Sequence, residues 1–108
     1  MKVAKMGSSN NGYKNAILLN NKDDVACVLE SIFCGDSLNL KDSAGKIVDR
    51  VVAKEDIPRF HKIALRDLKK GIYVHKYGEV IGKTTADIKR GEYVHVHNIA
   101  SVKVGNSI

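Results

Sequence analysis

The stretches DLKKGIYVH (residues 67–75) and DIKRGEYVH (residues 87–95) repeat one pattern at an offset of twenty residues. Each runs aspartate, aliphatic residue, two basic residues, glycine, a variable residue and then tyrosine, valine and histidine. The pattern predicts a one-turn helical bend that Gly71 or Gly91 closes at positive φ, followed by a strand. Two copies are too few for a solenoid, which needs about three or more repeats. They indicate a small, pseudo-symmetric, mostly β fold with short strands and many turns.

The second copy continues into the run GEYVHVHN, which alternates polar and apolar residues. Successive side chains of a strand point to opposite faces, so Tyr93, His95 and His97 should share one face. Val94 and Val96 should share the other face and lie in the core. Two neighbouring imidazoles can supply two ligands to a divalent metal or two donors to a carboxylate. The alternative is that they are half-exposed strand residues or that one lies in the core, because no third ligand is evident nearby.

The N-terminal half offers three weaker structural signals. AILLN (residues 16–20) is a short apolar run that predicts a strand buried on both faces. VACVLESIF (residues 25–33) fits either a helix capped by Asp24 or a strand. Residues 38–52 predict two strands joined at a turn, DSAG, in which Gly45 takes a left-handed conformation.

A turn is also predicted at Pro58, which has no backbone N–H and therefore does not suit a central strand. That turn would deliver Phe60 and His61. In the first repeat, HKYG places Lys76 and Tyr77 before a glycine. Both side chains can hold an anionic oxygen, although a strand with a glycine turn, in which the Tyr77 ring packs and Lys76 is solvated, is the better explanation of these residues by themselves.

Composition limits the classes of protein. A chain of 108 residues with 44% hydrophobic and 28% charged residues has the size and balance of one folded domain. We expect a flexible N-terminal tail at residues 1–14, a domain at residues 15–101 and a C-terminal tail at residues 102–108. No run is apolar enough for a secretory signal or a membrane span, so we expect a soluble, cytoplasmic protein whose two cysteines, Cys27 and Cys34, stay reduced.

The net charge of +6 raises the possibility of a polyanionic partner. The basic residues are scattered among acidic ones, and aromatic residues do not alternate with them as a stacking surface requires. We therefore predict no nucleic-acid partner. A solvated basic surface or an acidic small-molecule substrate fits the charge better.

Three motifs in series point to a family. HKIAL (residues 61–65), KYGEVIG (residues 76–82) and ADIKRGEYVHVHN (residues 86–98) resemble the SAF-type N-terminal domain of the altronate/galactarate dehydratase family. The small subunits of sulfolactate sulfo-lyases carry a similar domain. The resemblance extends over about residues 15–101, and it implies a β-clip architecture of short strands folded on themselves.

The resemblance also implies an activity. Members of the family are lyases that remove water from sugar acids to give 2-keto-3-deoxy acids, with a divalent metal, commonly Fe2+. The larger catalytic subunit or region holds most of the catalytic centre, so this chain is expected to be a small subunit or N-terminal domain that is inactive alone. The alternatives are a stand-alone module that binds a sugar acid and the small subunit of a sulfo-lyase.

Carried over by motif position, the resemblance gives a set of candidate site residues. It implies the following roles: catalytic His61, His97 and Asn98; substrate-binding Lys76, Tyr77 and Gly78; metal-binding His95 and His97. Two positions depart from the family pattern, since Phe60 replaces a glycine before HKIAL and His75 replaces a residue that is commonly aliphatic.

Overall fold

The computed structural model describes residues 13–102, and every regular element in that range is a β-strand. The strands are β1 (Tyr13–Ile17), β2 (Val25–Val28), β3 (Ser37–Lys41), β4 (Ile47–Val52), β5 (Lys62–Ala64), β6 (Tyr73–Lys76), β7 (Glu79–Thr84), β8 (Tyr93–Val94) and β9 (Ile99–Ala100). The prediction of a small, mostly β domain is confirmed. The β-clip arrangement in particular stays a prediction. Most of the two predicted tails, residues 1–12 and 103–108, lies outside the described residues.

Several local predictions are settled by these strands. VACVLESIF begins with strand β2 and contains no helix. AILLN is only partly a strand, because β1 ends at Ile17 and only Ala16 in that run is buried. Gly45 has a φ of 81° in the turn between β3 and β4, as predicted. Within residues 13–102, no helix is long and apolar enough to cross a membrane.

The strands form two separate sheets. The larger one has the order β4-β3-β1-β2-β5-β8, in which β1 and β3 are parallel and all other neighbours are antiparallel. The smaller one has the antiparallel order β9-β7-β6. One core lies within the larger sheet and its turns, and a second joins the sheets, with the buried members Val25, Ala64, Leu68, Val74, Ile88 and Val94.

The two sequence repeats pair with each other in space. Leu68 and Ile88 form an antiparallel bridge, in which the two backbone hydrogen bonds have N···O distances of 2.7 and 2.8 Å. Asp87 accepts a hydrogen bond from the Lys70 N–H at 2.8 Å, and Asp67 accepts one from the Arg90 N–H at 2.9 Å. The contacts are reciprocal, so the repeats are related by a local pseudo-two-fold axis. The predicted pseudo-symmetry is thus present at this bridge.

A second pair of turns in the N-terminal half is built in the same way, and the sequence did not reveal it. Ile32 and Ile57 form a bridge in which both backbone hydrogen bonds have an N···O distance of 2.9 Å. Asp56 accepts a hydrogen bond from the Cys34 N–H at 2.8 Å. Ser31 stands where the other three turns have aspartate. Residues 13–102 therefore contain four related turns, in two pairs.

The predicted one-turn helices are wrong, because each of these segments is a tight turn. The aliphatic residue uses both backbone groups in its bridge and cannot start a helical ladder. The residue three places later has positive φ in all four turns: Gly35 at 96°, Phe60 at 69°, Gly71 at 88° and Gly91 at 93°. Positive φ at Gly71 and Gly91 is therefore confirmed, and Pro58 does begin the turn that delivers Phe60 and His61, whose N–H donates to the Pro58 carbonyl at 3.0 Å.

Gly91 and Phe60 differ in how well they suit this conformation. A Cβ at Gly91 would overlap the carbonyl oxygen of Val52, so both its φ and its surroundings require glycine. Phe60 takes the same conformation with a full side chain, which is 59% exposed and lies under the Arg59 guanidinium at 4.5 Å. A left-handed conformation costs an L-residue roughly 1–2 kcal/mol, so this turn stores strain that the other three avoid.

Substituting Phe60→Gly should stabilise the domain. Relief of the left-handed conformation outweighs the lost contact with Arg59, which at an exposed site is worth about 0.5–1 kcal/mol. We expect the free energy of unfolding to rise by about 1 kcal/mol, as a higher urea midpoint with an unchanged m-value. Gly71→Ala is the matched control, because its Cβ meets nothing within 4 Å and only φ opposes it. It should destabilise by about 1 kcal/mol, and a loss of stability in Phe60→Gly would contradict the assignment of strain.

Acid should weaken the pairing of the repeats. The hydrogen bond from the Arg90 N–H holds the pKa of Asp67 below its ordinary value, with smaller help from nearby lysines. Because the folded pKa lies below the unfolded one, this contribution is present above the unfolded pKa and is lost as pH falls through the folded pKa. Asp67→Asn should therefore flatten the dependence of unfolding free energy on pH between about pH 5 and pH 2. Glu79→Gln, at an exposed strand position, should keep the wild-type slope; an unchanged slope in Asp67→Asn would refute the role of this hydrogen bond.

Candidate functional site

Three of the four histidines gather where β5 meets β8. The two strands pair antiparallel, with Ile63 opposite Tyr93, so the residue before β5 lies beside the residues after β8. The ring centroids of His61 and His95 are 4.7 Å apart. The Tyr93 ring stacks on His95 at 5.7 Å and contacts His97 at 5.2 Å. The structure thus brings His95 and His97 close to His61, although they follow it by thirty-four and thirty-six residues in the sequence.

The chain reverses in this cluster instead of continuing as a strand. Strand β8 ends at Val94, and residues 95–98 form a turn. Val94 is fully buried as predicted, but the prediction that Val96 lies in the core is wrong, because its side chain is 79% exposed. The two histidines share their surroundings through contact with the Tyr93 ring, not through alternation along a strand.

Asn98 explains the reversal. Its side-chain Oδ1 accepts a hydrogen bond from the His95 N–H at 3.0 Å, and its Nδ2 donates to the Tyr93 carbonyl at 2.8 Å. The side chain is buried, and both ends of its amide bind the backbone. This geometry gives Asn98 a structural role in presenting the histidines. The catalytic role implied by the resemblance stays a prediction.

Tyr93 also orients the first histidine of the cluster. Its hydroxyl lies 2.7 Å from Nδ1 of His61, so the two groups share a hydrogen bond. A hydrogen bond at one ring nitrogen fixes the orientation of an imidazole and leaves the other nitrogen for chemistry. Tyr93 was not among the residues predicted for the site. Its place beside the histidines in the alternating run was the signal that could have identified it.

A basic cavity adjoins the cluster. It has a volume of about 250 Å³ and is lined by Lys62, Lys76, Ile81, His95, Val96, Ile99 and Ser101. Lys76, predicted to bind substrate, therefore faces the same space as His95. Lys62 was not predicted as a site residue, although it directly follows His61 in the motif HKIAL. It reaches the cavity from β5, where it pairs with Val94.

The electrostatics of this cavity are one-sided. Partial burial, and then the positive charge of Lys76, lower the pKa of Lys62, while Cys27 acts weakly in the opposite direction. Partial burial, and then the neighbouring His61, Lys62 and His97, lower the pKa of His95 below its ordinary value. No carboxylate lines the cavity within residues 13–102. The arrangement favours any ligand that brings negative charge.

The other two residues predicted to bind substrate lie at a hairpin turn. Tyr77 and Gly78, with φ of 57° and 78°, form the two-residue connection between β6 and β7, as type I′ turns do. The carboxylate of buried Asp23 accepts hydrogen bonds from both of their N–H groups at 2.8 Å. The Tyr77 ring lies 4.7 Å from the Lys76 ammonium group, whereas Gly78 lines a different cavity. The structure therefore separates Gly78 from Lys76, and Asp23 already uses the backbone donors of this turn.

The donor set does not by itself fit a resident metal. Residues 13–102 contain no group of three or more histidine, cysteine, aspartate or glutamate side chains placed to hold one. Cys27 and Cys34 are free thiols, and each directs its Sγ to backbone carbonyls. A metal at His95 and His97 would need further ligands from outside this part of the chain.

Comparison with known proteins identifies the family to which the chain belongs. The family model described as the altronate/galactarate dehydratase SAF domain matches residues 14–102. The chain is 36% identical over 85 residues to an altronate dehydratase of Bacillus subtilis, a match that covers 79% of this chain and 16% of that protein. It is 38% identical over 76 residues to an altronate dehydratase of Escherichia coli, covering 70% of this chain and 14% of that protein.

A shorter relative is similar over most of its own length. The chain is 53% identical over 49 residues to the (2R)-sulfolactate sulfo-lyase subunit alpha of Paracoccus pantotrophus, a match that covers 45% of this chain and 73% of that subunit. The chain thus spans only 16% and 14% of the two dehydratases. The family match covers nearly all of the described residues and confirms the resemblance seen in the three motifs. The chain belongs to the family of altronate/galactarate dehydratase SAF domains.

Proposed function

We propose that this chain is the small subunit or SAF domain of a lyase that dehydrates a sugar acid, of the altronate or galactarate type, to a 2-keto-3-deoxy acid. The observation that carries the proposal is the basic cavity. Lys62, Lys76 and His95 line one space of about 250 Å³, and no carboxylate among residues 13–102 lines it with them. A sugar acid has the carboxylate that this charge favours and is small enough for such a cavity.

The chemistry of dehydration assigns roles to these side chains. A proton leaves the carbon next to the carboxylate, a hydroxide leaves the following carbon with a proton from an acid, and the resulting enol becomes the 2-keto product. Lys62 and Lys76 hold the carboxylate and stabilise the negative charge that spreads onto it when the proton leaves. His61, oriented by the Tyr93 hydroxyl, and His97 exchange protons with the substrate.

A larger partner completes the enzyme in this proposal. The match covers only 16% of the length of the Bacillus subtilis relative, so most of that protein has no counterpart in the aligned region. A larger catalytic subunit or region supplies the remaining groups, and the isolated chain is inactive. The divalent metal, Fe2+ in the assembled enzyme, is part of the proposal only with ligands from that partner, because residues 13–102 offer too few.

A sulfo-lyase small subunit is the second candidate. The similarity to the sulfo-lyase subunit alpha favours it, since 73% of that separate subunit is matched at 53% identity. The basic cavity suits a sulfonated acid as well as a sugar acid, because both are anions. A stand-alone module that binds a sugar acid would use the same cavity. Tight binding by the isolated chain without metal or partner would favour the module over both lyases.

The first test is the activity of the assembled enzyme. The tagged chain is purified from its source cells with any larger partner, and 2-keto acid production is measured with Fe2+ and altronate, galactarate or sulfolactate. His97→Ala should lower kcat by about 100-fold or more, as loss of a general acid or base does, while the isolated domain keeps its unfolding midpoint. Glu79→Gln, at an exposed strand position, should keep full activity. Unchanged turnover in His97→Ala would remove His97 from the mechanism, and production of sulfite from sulfolactate alone would select the sulfo-lyase.

The second test concerns the two lysines. Lys62→Gln and Lys76→Gln should each weaken altronate binding by the assembled enzyme about tenfold or more, because each removes a charge-assisted hydrogen bond. Lys46→Gln, in the exposed turn before β4, is the matched control and should bind normally. Equal affinity in all three variants would place the substrate carboxylate elsewhere.

The isolated domain supplies an independent readout of the same charges. Lys62 lowers the pKa of His95, so Lys62→Gln should raise that pKa in an NMR titration of the imidazole signals. Lys46→Gln should leave it unchanged. A His95 pKa that does not move would show that Lys62 does not face the imidazole.

A further inference from the structure

A second cavity lies around the one histidine that the site above does not use. It has a volume of about 470 Å³ and is lined by Lys22, Asp24, Arg66, Ile72, Tyr73, His75 and Gly78. None of these residues lines the basic cavity of Lys62 and Lys76. His75 and Lys76 are neighbours on β6, and successive side chains of a strand point to opposite faces. The strand thus separates the two cavities.

A buried carboxylate organises the second cavity. Oδ2 of Asp24 lies 3.1 Å from Nδ1 of His75 and also accepts a hydrogen bond from the His75 N–H at 2.8 Å. Its Oδ1 lies 3.3 Å from Nε of Arg66. An ionised group buried in this way requires such partners. Asp24 is therefore satisfied from inside, and it fixes the positions of an imidazole and a guanidinium group.

Both partners of Asp24 also carry hydrogen-bonding groups that do not contact Asp24. A carboxylate that accepts from Nδ1–H leaves Nε2 of a neutral imidazole as a hydrogen-bond acceptor. Nε2 of His75 has no hydrogen-bond partner within residues 13–102, and the side chain is 41% exposed. Arg66 uses Nε on Asp24 and Nη2 on the Asp23 carbonyl at 3.0 Å, so further N–H donors remain on a side chain that is 52% exposed.

The repeat gives this cavity a counterpart. His75 ends the first repeat as His95 ends the second, and Val74 and Val94 before them are both fully buried in the shared core. Each histidine therefore leaves the core at an equivalent place and lines a cavity that also contains basic side chains. The pseudo-symmetry thus presents two similar sets of groups on two sides of the domain.

We propose that the cavity of His75, Arg66 and Lys22 is a second binding site, for a small 2-hydroxy acid. The carboxylate binds the remaining donors of Arg66, whose planar fork suits it, and the ammonium group of Lys22. The hydroxyl group donates to Nε2 of His75. Ile72 and the Tyr73 ring provide an apolar wall for the carbon chain. The site is distinct from that of the proposed dehydration and does not depend on it.

The test is an NMR titration of the isolated chain with L-malate, following the ring carbon–proton signals of the four histidines. The His75 signal, assigned with His75→Gln, should shift to saturation with malate. Succinate, which lacks the hydroxyl group, should bind more weakly. Lys22→Gln and Arg66→Gln should each weaken the malate effect on His75 about tenfold or more. The proposal would be overturned if malate did not move the His75 signal. It would also be overturned if malate moved that signal in Lys22→Gln and Arg66→Gln as strongly as in the wild type.

Two controls keep the result interpretable. Arg66→Gln removes one partner of buried Asp24 and can cost stability, whereas the Lys22 side chain makes no hydrogen bond within residues 13–102 and its substitution should leave the fold intact. Lys76 lines the basic cavity and not the second one, so Lys76→Gln should leave the malate effect on His75 as in the wild type. Loss of that effect in Lys76→Gln would overturn the second site and assign malate to the first cavity. Succinate binding as tightly as malate would overturn the role of His75.

Discussion

The bridge between Leu68 and Ile88 is the contact on which the placement of the candidate site depends. Each residue donates its backbone N–H to the carbonyl of the other. The carboxylates of Asp67 and Asp87 each accept a hydrogen bond from one N–H of the opposite turn. Backbone groups buried at a turn must find partners, and here the two repeats satisfy each other. The strands that follow start from fixed positions on either side of this pair. Val74 and Val94 then enter one core, and the histidines after them face outward.

Much of this arrangement was readable from the sequence, because the repeat retains every residue that the pairing uses. Asp, aliphatic residue and glycine were all visible, and so were the positive φ values at Gly71 and Gly91. The related pair at Ile32 and Ile57 was not, because neither copy keeps the whole pattern: Ser31 replaces the aspartate in one and Phe60 replaces the glycine in the other. The predicted helices failed for a different reason. A local pattern shows that a chain bends but not that its backbone groups pair with a distant copy.

The site was predicted in composition more than in shape. Alternation grouped Tyr93, His95 and His97 correctly, yet it did so for a strand that ends at Val94. The amide of Asn98 reverses the chain, and no pattern of polar and apolar residues encodes that choice. Lys62 was missed because nothing in the motif HKIAL shows that its side chain meets Lys76 and His95, which only the pairing of β5 with β8 brings about.

The clustering of positive charge has an energetic consequence for binding. Lys62 and Lys76 repel each other, and the pKa of Lys62 and that of His95 are both lowered as a result of burial and of neighbouring charges. A lowered pKa means that the folded domain disfavours the charged form of these groups. The negative charge of an anion in the cavity would favour the charged forms instead, and part of its binding free energy would be used to protonate these groups. In the proposed site we therefore expect anion binding to be linked to proton uptake, because no carboxylate from residues 13–102 lines the cavity to favour the charged forms already.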